Sequence, residues 1–420
     1  MPYTIGIDAR KIDDFGIGTY VRNLVLALAR VDQENNYVLF IGKTGLDGLP
    51  ENFRQVTESA KVYSVRELYS LSWQIFRQRL DLYHATHYVL PAVLPCRAVV
   101  TIHDIIHLLF PEYLPNRFAL IYARRMIRRS LWKGSRVIAV SHNTKADLKD
   151  YFGIDGKKIR VIYNGVEDIY RIKLPSEAID KTLHDLQIRR PYALFVGNPK
   201  PHKNLHNVLR AFARAQKLRP FEAGLVVAGD RGPTDLKTSQ LCDLLGIADH
   251  VRFTGHVPAE ALPALYQGAS LFLYPTLYEG FGLPVIEAMA SGVPVITSNG
   301  SALRELAEGF AHLVDPLDVE ELALAIARCM TENELRSTLI QLGLRRAADF
   351  RWERAAEKTR DIYLSAIRSA APGPADMRAN EDLRGDTTTQ LRLRAALERA
   401  GSRRRRLRST IDDREGEGVE

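Results

Sequence analysis

The sequence predicts an α/β protein built from two doubly wound domains, each a parallel sheet covered by helices. Short runs rich in Val and Ile alternate with longer helical patterns along most of the 420 residues. Such runs are typical of parallel strands that are buried on both faces. The alternation pauses once, in the polar stretch 171–190, and then starts again. Two series of this kind indicate two domains joined by a linker.

The first series belongs to an N-terminal domain that we expect over residues 1–170. Between its first two strands the sequence predicts a helix at 19–31, where Tyr20, Leu24 and Leu28 share one apolar face. Most of the strand runs end in Gly, Ser, Asp or His. The predicted strands are 4–9, 37–42, 82–87, 98–104, 136–141 and 159–165.

The second series predicts a C-terminal domain over 191–350, followed by a helix at 351–369. Its helices include 261–267 and 319–330. In doubly wound sheets a ligand binds at the carboxyl ends of the strands, so we expect a site between the two domains. The predicted strands are 192–197, 224–229, 251–257, 270–276 and 294–298.

The last part of the chain, 370–420, has a different composition. Pro, Gly and charged residues dominate it, and a run of arginines follows at 403–406. Few apolar residues remain there to form a core, so we expect a basic, disordered tail.

Composition excludes several classes of protein. Hydrophobic residues make up 46% and charged residues 26%, as in ordinary globular proteins, which argues against a fibrous or wholly disordered chain. Cys96, Cys242 and Cys329 are too scattered for a disulfide framework or a zinc cluster and fit a reducing compartment. No apolar run approaches the roughly 20 residues of a membrane span. The first residues also lack the apolar stretch of a signal peptide, so we expect a cytoplasmic protein.

The most informative motif, YEGFGLPVIEA, follows the strand 270–276. Glycines before a helix let backbone N–H groups approach an anion, and Pro284 suits the first helical turn. Glu279 lies in the loop and Glu287 one turn into the helix, where both can accept hydrogen bonds from sugar hydroxyls. A glycine-rich turn with one solvated and one capping glutamate would produce the same pattern, and spacing alone does not separate these interpretations.

The motif also carries a family resemblance. Glu279 and Glu287 have seven residues between them and match the E-x7-E signature of retaining GT-B glycosyltransferases of family 4. The resemblance continues in the family's order through LFVGNPKPHKN, LVVAGDRG, VRFTGHVP and HLVDPLD. In the first half it includes DARKIDDFGIGTYVRNL, VVTIHDI and VIAVSHNTKADL, so that it covers residues 3–367.

This resemblance implies a GT-B fold, in which two Rossmann-like domains face each other across a cleft. Residues 1–170 would form the acceptor side, and 191–350 would bind the nucleotide sugar. The implied activity is transfer of a hexose with retention of anomeric configuration and without a covalent glycosyl-enzyme. The motifs are similar to those of bacterial mannosyltransferases that build O-antigen or exopolysaccharide chains.

The resemblance also implies roles for the matched residues in the second half. Glu279 would bind hydroxyls of the donor sugar, and Glu287 would bind the ribose hydroxyls. Lys203 would pair with the phosphates, because a fixed cation and a helix N-terminus stabilise the charge on a departing diphosphate. Backbone groups would contact the diphosphate at Phe281, Gly282 and Leu283.

One departure from the family pattern concerns the cations that would bind the phosphates. Many relatives carry an Arg soon after the strand glycine, where this chain has Asn198 after Gly197. The second phosphate cation would then come from Arg231, which follows another strand, or from Lys200.

Two pairs of residues in the first half are further candidates. Gly16 and Gly18 lie between the first strand and its helix, where they form either a donor-binding loop or a simple tight turn. His103 and Asp104 end a strand, and the resemblance puts His103 at the donor sugar, where its ring or backbone carbonyl would stabilise positive charge. Asp104 would position His103 or the acceptor hydroxyl. The alternative is a structural histidine beside a capping aspartate.

A basic helix is predicted at 117–133. Arg124 and Arg128, and likewise Arg125 and Arg129, are four residues apart and share a helix face. Such a helix can lie on an anionic membrane, where each basic residue contributes about 1 kcal/mol. The alternative is a surface helix that packs its apolar side into the core. A lipid-linked acceptor favours peripheral contact with the inner face of the cell membrane.

The resemblance leaves the donor open between GDP-mannose, suggested by family proximity, and UDP-sugars. The acceptor would be a glycan or a lipid-linked oligosaccharide. We expect no obligatory metal or other cofactor, since lysine and helix dipoles can neutralise the diphosphate. His84, His87 and His107 also lack a carboxylate or cysteine arrangement typical of a metal site.

Other functions fit parts of the sequence. A nucleotide-sugar epimerase or a glucan synthase could use the same architecture, because fold alone does not determine chemistry. The formal net charge of +8 and the arginine-rich tail suggest nucleic-acid binding. No recognisable nucleic-acid module accompanies that charge, so we expect no nucleic-acid partner.

Overall fold

The computed structural model describes residues 2–60, 64–114, 116–198, 200–229 and 236–369. Within these residues the chain forms two all-parallel sheets, one with seven strands and one with six. Each sheet runs outward in both directions from its first strand, as in doubly wound nucleotide-binding folds. The expected α/β fold class with two Rossmann-like sheets is therefore confirmed.

The first sheet has the order β3-β2-β1-β4-β5-β6-β7. The sequence pattern did not predict the edge strand β3, because its sequence FRQVT is largely polar and only Phe53 in it is buried. The strands are β1 (Thr4–Asp8), β2 (Asn36–Ile41), β3 (Phe53–Thr57), β4 (Leu82–Ala85), β5 (Arg97–Ile102), β6 (Arg136–Ala139) and β7 (Ile159–Val161).

The second sheet has the order β10-β9-β8-β11-β12-β13. Its last strand is a short edge strand that the sequence pattern also missed. The strands are β8 (Tyr192–Val196), β9 (Gly224–Ala228), β10 (Val251–Gly255), β11 (Leu271–Tyr274), β12 (Val295–Ser298) and β13 (His312–Val314).

Helices α1 to α5 cover the first sheet. The basic helix α4 has the predicted bounds, and its N-cap Asn116 accepts a hydrogen bond from the Ala119 N–H at 2.9 Å. Ser141 caps α5 in the same way, through the Thr144 N–H at 3.0 Å. The helices are α1 (Ile17–Val31), α2 (Val65–Arg77), α3 (Ile106–Leu109), α4 (Arg117–Lys133) and α5 (His142–Phe152).

Helices α6 to α14 follow. The stretch 171–190 that we expected as a linker contains α6, whose Ile179 and Leu183 are buried in the core of the second domain. The helices are α6 (Ser176–Asp185), α7 (Leu205–Leu218), α8 (Leu236–Leu245), α9 (Leu262–Gln267), α10 (Leu283–Ala290), α11 (Ser301–Ala307), α12 (Val319–Thr331), α13 (Asn333–Ala347) and α14 (Trp352–Arg368).

The last helix, α14, crosses back to the first domain. It packs against α1, and Trp352 and Tyr363 are buried in the core beside the first sheet. The Tyr363 hydroxyl lies 2.7 Å from Nδ1 of His84, a residue of β4. Gly165 lies so close to the Trp352 backbone and ring that a Cβ there would overlap them. The end of the described chain is thus tied to the start of the first domain.

Two further expectations concern membranes and the tail. Across the described ranges, none of the helices combines the length and the apolar character that crossing a bilayer requires. The predicted tail 370–420 lies outside the described residues.

Candidate active site

A cavity of about 520 Å³ lies between the two domains, at the carboxyl ends of strands from both sheets. The loops after β1 and β5 form one wall, and the loops after β8 and β11 form the other. Most of the predicted site residues line it, namely Gly16, His103, Asp104, Lys203, Glu279, Phe281, Gly282, Leu283 and Glu287.

An ion pair between Lys203 and Glu279 dominates the second wall. The Lys203 ammonium lies 2.7 Å from a Glu279 carboxylate oxygen and 2.7 Å from the Tyr274 hydroxyl, and it also lies over the Tyr274 ring. Burial disfavours the ammonium, but the charge of Glu279 and the hydrogen bonds to Glu279 and Tyr274 outweigh this effect, so the pKa of Lys203 is raised. Lys203 is therefore a fixed cation at neutral pH.

Backbone geometry explains how Lys203 is positioned. The chain after β8 makes a short helical turn and reaches Asn204, which adopts a left-handed conformation with φ of 65°. The Asn204 amide donates to the carbonyls of Pro275 and Pro316, at 2.9 and 2.6 Å. These bonds tie the Lys203 loop to the loop after β11 that carries Glu279. Ser301 supports that loop by accepting a hydrogen bond from the Glu279 N–H at 3.2 Å.

The N-terminus of α10 opens onto the same wall. Gly282 precedes the helix with φ of 112°, and a Cβ there would lie 2.5 Å from Leu303, so only glycine fits without strain. Phe281 is buried among the rings of Tyr163 and Phe350 and fixes the loop. The result is a free helix N-terminus beside the Lys203 ammonium, an arrangement suited to a diphosphate.

Glu287 occupies a different environment on the first turn and a half of α10. Its carboxylate accepts a hydrogen bond from the Tyr266 hydroxyl at 3.0 Å. Burial raises the pKa of Glu287 to about 7, against the smaller lowering effect of the Tyr266 bond. Its proton occupancy therefore changes near neutral pH.

His103 and Asp104 face the cavity from the first domain. The His103 Nε2 donates to the Thr86 carbonyl at 2.9 Å, and burial lowers the pKa of His103, so the ring is neutral. The His103 carbonyl accepts a hydrogen bond from Thr144 at 3.1 Å. Asp104 accepts from the Ile106 N–H at 2.9 Å and thereby caps the turn that starts α3. This bond is compatible with the capping alternative for Asp104, and the residue also lines the cavity.

Several contacts join the two domains beside the cleft. The Gly280 backbone abuts the His103 carbonyl, and Thr144 donates to the Gly280 carbonyl at 3.2 Å. Tyr278 donates to Asp147 at 2.6 Å. The Glu305 carboxylate accepts from two backbone N–H groups at the N-terminus of α5, at 2.8 and 2.9 Å. The structure is therefore a closed form in which the two domains touch next to the site.

Two of the predicted residues are not found at the cavity. Gly18 lies inside α1 against the Ile12 carbonyl, where a Cβ would not fit, so close packing explains this glycine. Arg231 lies outside the described residues. Lys200, the other residue considered as a second phosphate cation, lines the cavity.

Some residues of the cavity wall were missed by sequence reasoning. Asn164 follows β7 and is buried, and its Oδ1 has no hydrogen-bond partner in the described part of the chain. Its position at a strand end was the available signal. His202 is buried beside the Tyr113 ring, and burial lowers its pKa to about 4. It therefore adds no charge next to Lys203.

One group of potential metal ligands lies in the first domain. Oxygen and nitrogen atoms of Asp8, Glu67 and His87 lie within 4.8 Å of one another. The Arg10 guanidinium bridges the two carboxylates, at 2.6 Å from Asp8 and 2.7 Å from Glu67. An arginine therefore already forms ion pairs with both carboxylates of this group.

Comparisons with known proteins agree with this geometry. The family model described as Glycosyltransferase Family 4 matches residues 16–168. The model described as Glycosyl transferases group 1 matches residues 179–346. The two models thus fall on the two sheets, and together they span the walls of the cavity.

Individual relatives give the same result. O-antigen chain mannosyltransferase B of Escherichia coli is 29% identical over 366 residues, which cover 83% of this chain and 95% of that protein. O-antigen chain mannosyltransferase RfbU of Salmonella typhimurium is 31% identical, over 57% of this chain and 62% of its own. Among solved structures, Anabaena HepE in complex with UDP and glucose covers 86% of this chain at 21% identity, with a TM-score of 0.67. At that identity the structural match supports the fold alone.

Proposed function

We propose a function from one premise: this chain belongs to the glycosyltransferases described by the family 4 and group 1 models, and it is a hexosyltransferase. It transfers mannose from GDP-mannose to a glycan or lipid-linked oligosaccharide during surface polysaccharide synthesis. The similarity to O-antigen mannosyltransferases supports the choice of mannose and of that acceptor class. UDP-sugars are the alternative donors, since HepE is known with UDP bound.

The observation that carries the proposal is the Lys203–Glu279 pair beside the N-terminus of α10. A nucleotide sugar offers the pair two different partners. Its diphosphate matches the cation and the helix N-terminus, and its sugar hydroxyls match the carboxylate. Without donor the two side chains neutralise each other, so donor binding exchanges one set of charge-assisted bonds for another.

The proposed reaction retains the anomeric configuration and forms no covalent intermediate with the enzyme. The bond between the anomeric carbon and the phosphate oxygen breaks, and its electron pair leaves with the nucleoside diphosphate. Lys203 and the backbone N–H groups of Phe281, Gly282 and Leu283 stabilise that charge. The acceptor hydroxyl attacks from the same face, and its proton passes to the departing phosphate oxygen.

The first domain contributes to the same step. The neutral ring or the backbone carbonyl of His103 stabilises the positive charge that develops on the sugar. Asp104 positions His103 or the acceptor hydroxyl, and Gly16 lets the backbone approach the donor. Glu287 holds the ribose. Lys200 is the available second cation for the phosphates.

The location follows from the proposed acceptor. A lipid-linked oligosaccharide stays in its membrane, so a cytoplasmic enzyme has to work at the inner face of that membrane. Helix α4 carries exposed arginines at 117, 124, 125 and 128 that can contact anionic lipid.

A thermal-shift panel of GDP-, UDP-, ADP- and dTDP-sugars tests the donor. At 100 times its dissociation constant, the true donor should add about 2.7 kcal/mol of stability. Product analysis by NMR then separates the alternatives. Transfer gives an α-linked mannoside from GDP-α-mannose, a synthase gives a polymer without added acceptor, and an epimerase gives a new nucleotide sugar.

Two variants test the assigned charges. Glu279→Gln and Lys203→Ala should each lower kcat at least 100-fold, since each removes a group that acts on the reacting sugar or its leaving group. Lys217→Ala, an exposed lysine on α7, is the matched control and should keep wild-type turnover. Near wild-type turnover in either site variant would contradict the role given to that residue.

A further inference from the structure

We propose that α2 and α4 together form a membrane-binding platform, in which the aromatic side chains of α2 enter the interface of an anionic bilayer. The proposal rests on the membrane-linked acceptor proposed above and adds a second helix to the contact. Its first basis is the exposure of aromatic residues on α2, which neither the sequence motifs nor the cleft explains.

Helix α2 presents three aromatic side chains to solvent. Tyr69, Trp73 and Phe76 are 66%, 61% and 62% exposed. They recur at intervals of four and three residues, so they lie on one helix face. The opposite face is the one that packs into the domain, through the buried Leu71 and Ile75. When a surface helix already packs one face into the core, an aromatic cluster on its exposed face indicates a binding surface.

Helix α4 has an outward face of similar character. Phe118, Ile121 and Trp132 are 82%, 50% and 40% exposed. They lie on the same side of the helix as Arg125 and Arg128, because the inward face is taken by Ala123, Ile127, Ser130 and Leu131. Apolar and basic side chains therefore alternate over the exposed surface of α4.

A short segment joins the two helices into one surface. The guanidinium of Arg129 on α4 donates to the carbonyls of Leu90, Pro91 and Ala92, at 2.9, 2.6 and 2.7 Å. The next residue, Val93, donates its N–H to Ser72 of α2 at 3.2 Å. Val93 is itself 64% exposed, so apolar surface continues from α2 to α4.

The charge of this surface identifies its partner as anionic. Helix α4 contains no acidic residue, and the single acidic residue of α2, Glu67, is buried in its pair with Arg10. The exposed arginines of the two helices are Arg66, Arg77, Arg117, Arg124, Arg125 and Arg128.

Mixed aromatic and arginine side chains favour a lipid interface over a protein groove. Tyr and Trp rings have an apolar body and a polar edge that suit the level of lipid headgroups, and arginines above them pair with lipid phosphates. A basic amphipathic surface of this kind lies in the plane of the membrane. A second copy of the chain is the competing occupant, but two such basic surfaces would repel each other.

The platform is joined to the cleft. Ile127 on the inner face of α4 lines the cavity, as do Ile106 and His107 of α3, which leads into α4. A bilayer that contacts the outer face of α4 would therefore lie beside a wall of the cleft. A lipid-linked acceptor could then reach the site without leaving the membrane.

Vesicle co-sedimentation of the full chain tests the platform, with vesicles of phosphatidylcholine alone or with phosphatidylglycerol. The double variant Trp73→Ser, Phe76→Ser should bind the anionic vesicles at least tenfold more weakly than wild type. Leu244→Ser is the matched control, because Leu244 is 84% exposed on α8 of the other domain, and it should bind like wild type. The arginines of the tail are present in all three proteins, so their contribution to vesicle binding cancels in the comparison. Equal binding by the double variant would overturn the proposal.

A second measurement does not depend on how the double variant folds. In Trp132→Phe, the described tryptophans are the exposed Trp73 and the buried Trp352. Lipids brominated near the headgroup should quench the emission of this variant, and quenching should disappear when Trp73 is also changed to Phe. Emission that stays constant at saturating vesicles would overturn the insertion of α2.

The outcomes distinguish this inference from the proposed function. Vesicle binding through α2 without mannose transfer would refute the function and keep the platform. Transfer to a lipid-linked acceptor with unchanged binding by the α2 variant would refute the platform and keep the function. Protein that dimerises through this face, seen by light scattering as a dimer in wild type and a monomer in the double variant, would replace the bilayer with a second copy and overturn the proposal.

Discussion

Glu279 and Glu287 share one motif but lie in different environments. Glu279 is paired with Lys203 at 2.7 Å, so its charge is compensated before any ligand arrives. Glu287 lies against Tyr266 instead, and burial raises its pKa to about 7. The two carboxylates therefore have different partners, although the sequence presents them as equivalents.

We predict that donor affinity rises with pH through the titration of Glu287. A carboxylate accepts hydrogen bonds from ribose hydroxyls better than its protonated form, and with a pKa near 7 its ionised fraction rises about tenfold from pH 6 to pH 8. The dissociation constant of the nucleotide sugar should fall by up to about tenfold over that range, measured by isothermal titration calorimetry.

The control for this pH effect is Glu287→Gln, which should bind the donor with a nearly flat pH profile. Burial also raises the pKa of Asp147 to about 6, but that residue is present in both proteins. The difference between the two profiles therefore isolates Glu287. A wild-type affinity that is constant from pH 6 to pH 8 would exclude Glu287 as an ionised ribose ligand.

At the residue scale, local motifs predicted most of the candidate site and missed partners that are distant in sequence. Lys203, Glu279 and Glu287 stand in recognisable segments. Tyr274 lies within the predicted strand 270–276, but its bond to Lys203 spans 71 residues and leaves no local pattern. Asn164 is similar, since only the fold brings the end of β7 to the cavity.

At the scale of elements, the unit of β11, its loop and α10 organises the second wall. The loop must turn sharply from a buried strand to a helix whose N-terminus faces the cavity. Gly282 makes that turn with φ of 112° and leaves no room for a side chain beside Leu303. The direction of α10, and with it the aim of its N–H groups, therefore depends on this one glycine.

We predict that Gly282→Ala lowers both stability and donor affinity. The strained backbone and the overlap with Leu303 should lower the free energy of unfolding by about 1–3 kcal/mol. Relief of the overlap would displace the start of α10 and should weaken donor binding at least tenfold. Thermal melting and donor titration measure the two effects.

Gly300→Ala serves as the control for this substitution. Gly300 also precedes a helix, but its φ is −127° and nothing lies within 4 Å of a Cβ built there. It should melt and bind donor like wild type. If Gly282→Ala behaved in the same way, the turn would not limit the geometry of α10.

Regular elements were predictable where the chain is buried on both faces. The strands β4, β5, β6, β8, β9, β11 and β12 have apolar runs that only burial explains, and the sequence located them within a few residues. Edge strands such as β3 and β13 have one partner and fewer apolar residues, so the pattern is weak. Helix α6 was overlooked because only Ile179 and Leu183 of its ten residues are buried.

At the scale of the whole molecule, specific polar contacts join the two domains. Glu305 of α11 binds the N-terminus of α5, and Tyr278 binds Asp147 of the same helix. Sequence periodicity reports burial within a domain, and it carries no information about polar contacts of this kind. The packing of α14 against the first domain could not be predicted for the same reason, since the periodicity of a helix does not tell which sheet the helix packs against.

These contacts lead to a prediction about closure. A carboxylate at a helix N-terminus is favoured by the helix dipole and by unpaired N–H groups, with up to about 2 kcal/mol in partly buried geometries. Glu305→Ala removes this contact between the domains and should make the closed form less populated. A loss of about 1.4 kcal/mol would raise the KM for the donor tenfold.

The same variant should also change the fate of the donor. An active site that opens more often admits water, so the ratio of donor hydrolysis to sugar transfer should rise along with KM. Without donor, small-angle X-ray scattering should show a larger radius of gyration for Glu305→Ala than for wild type. When donor saturates the site, the radius of gyration of the variant should return to the wild-type value. Glu308→Ala is the control, because Glu308 follows α11 about one turn after Glu305 and, among the described residues, forms its ion pair with the exposed Arg304. A Glu305→Ala enzyme with wild-type KM and wild-type hydrolysis would mean that the Glu305 contact accompanies closure without stabilising it.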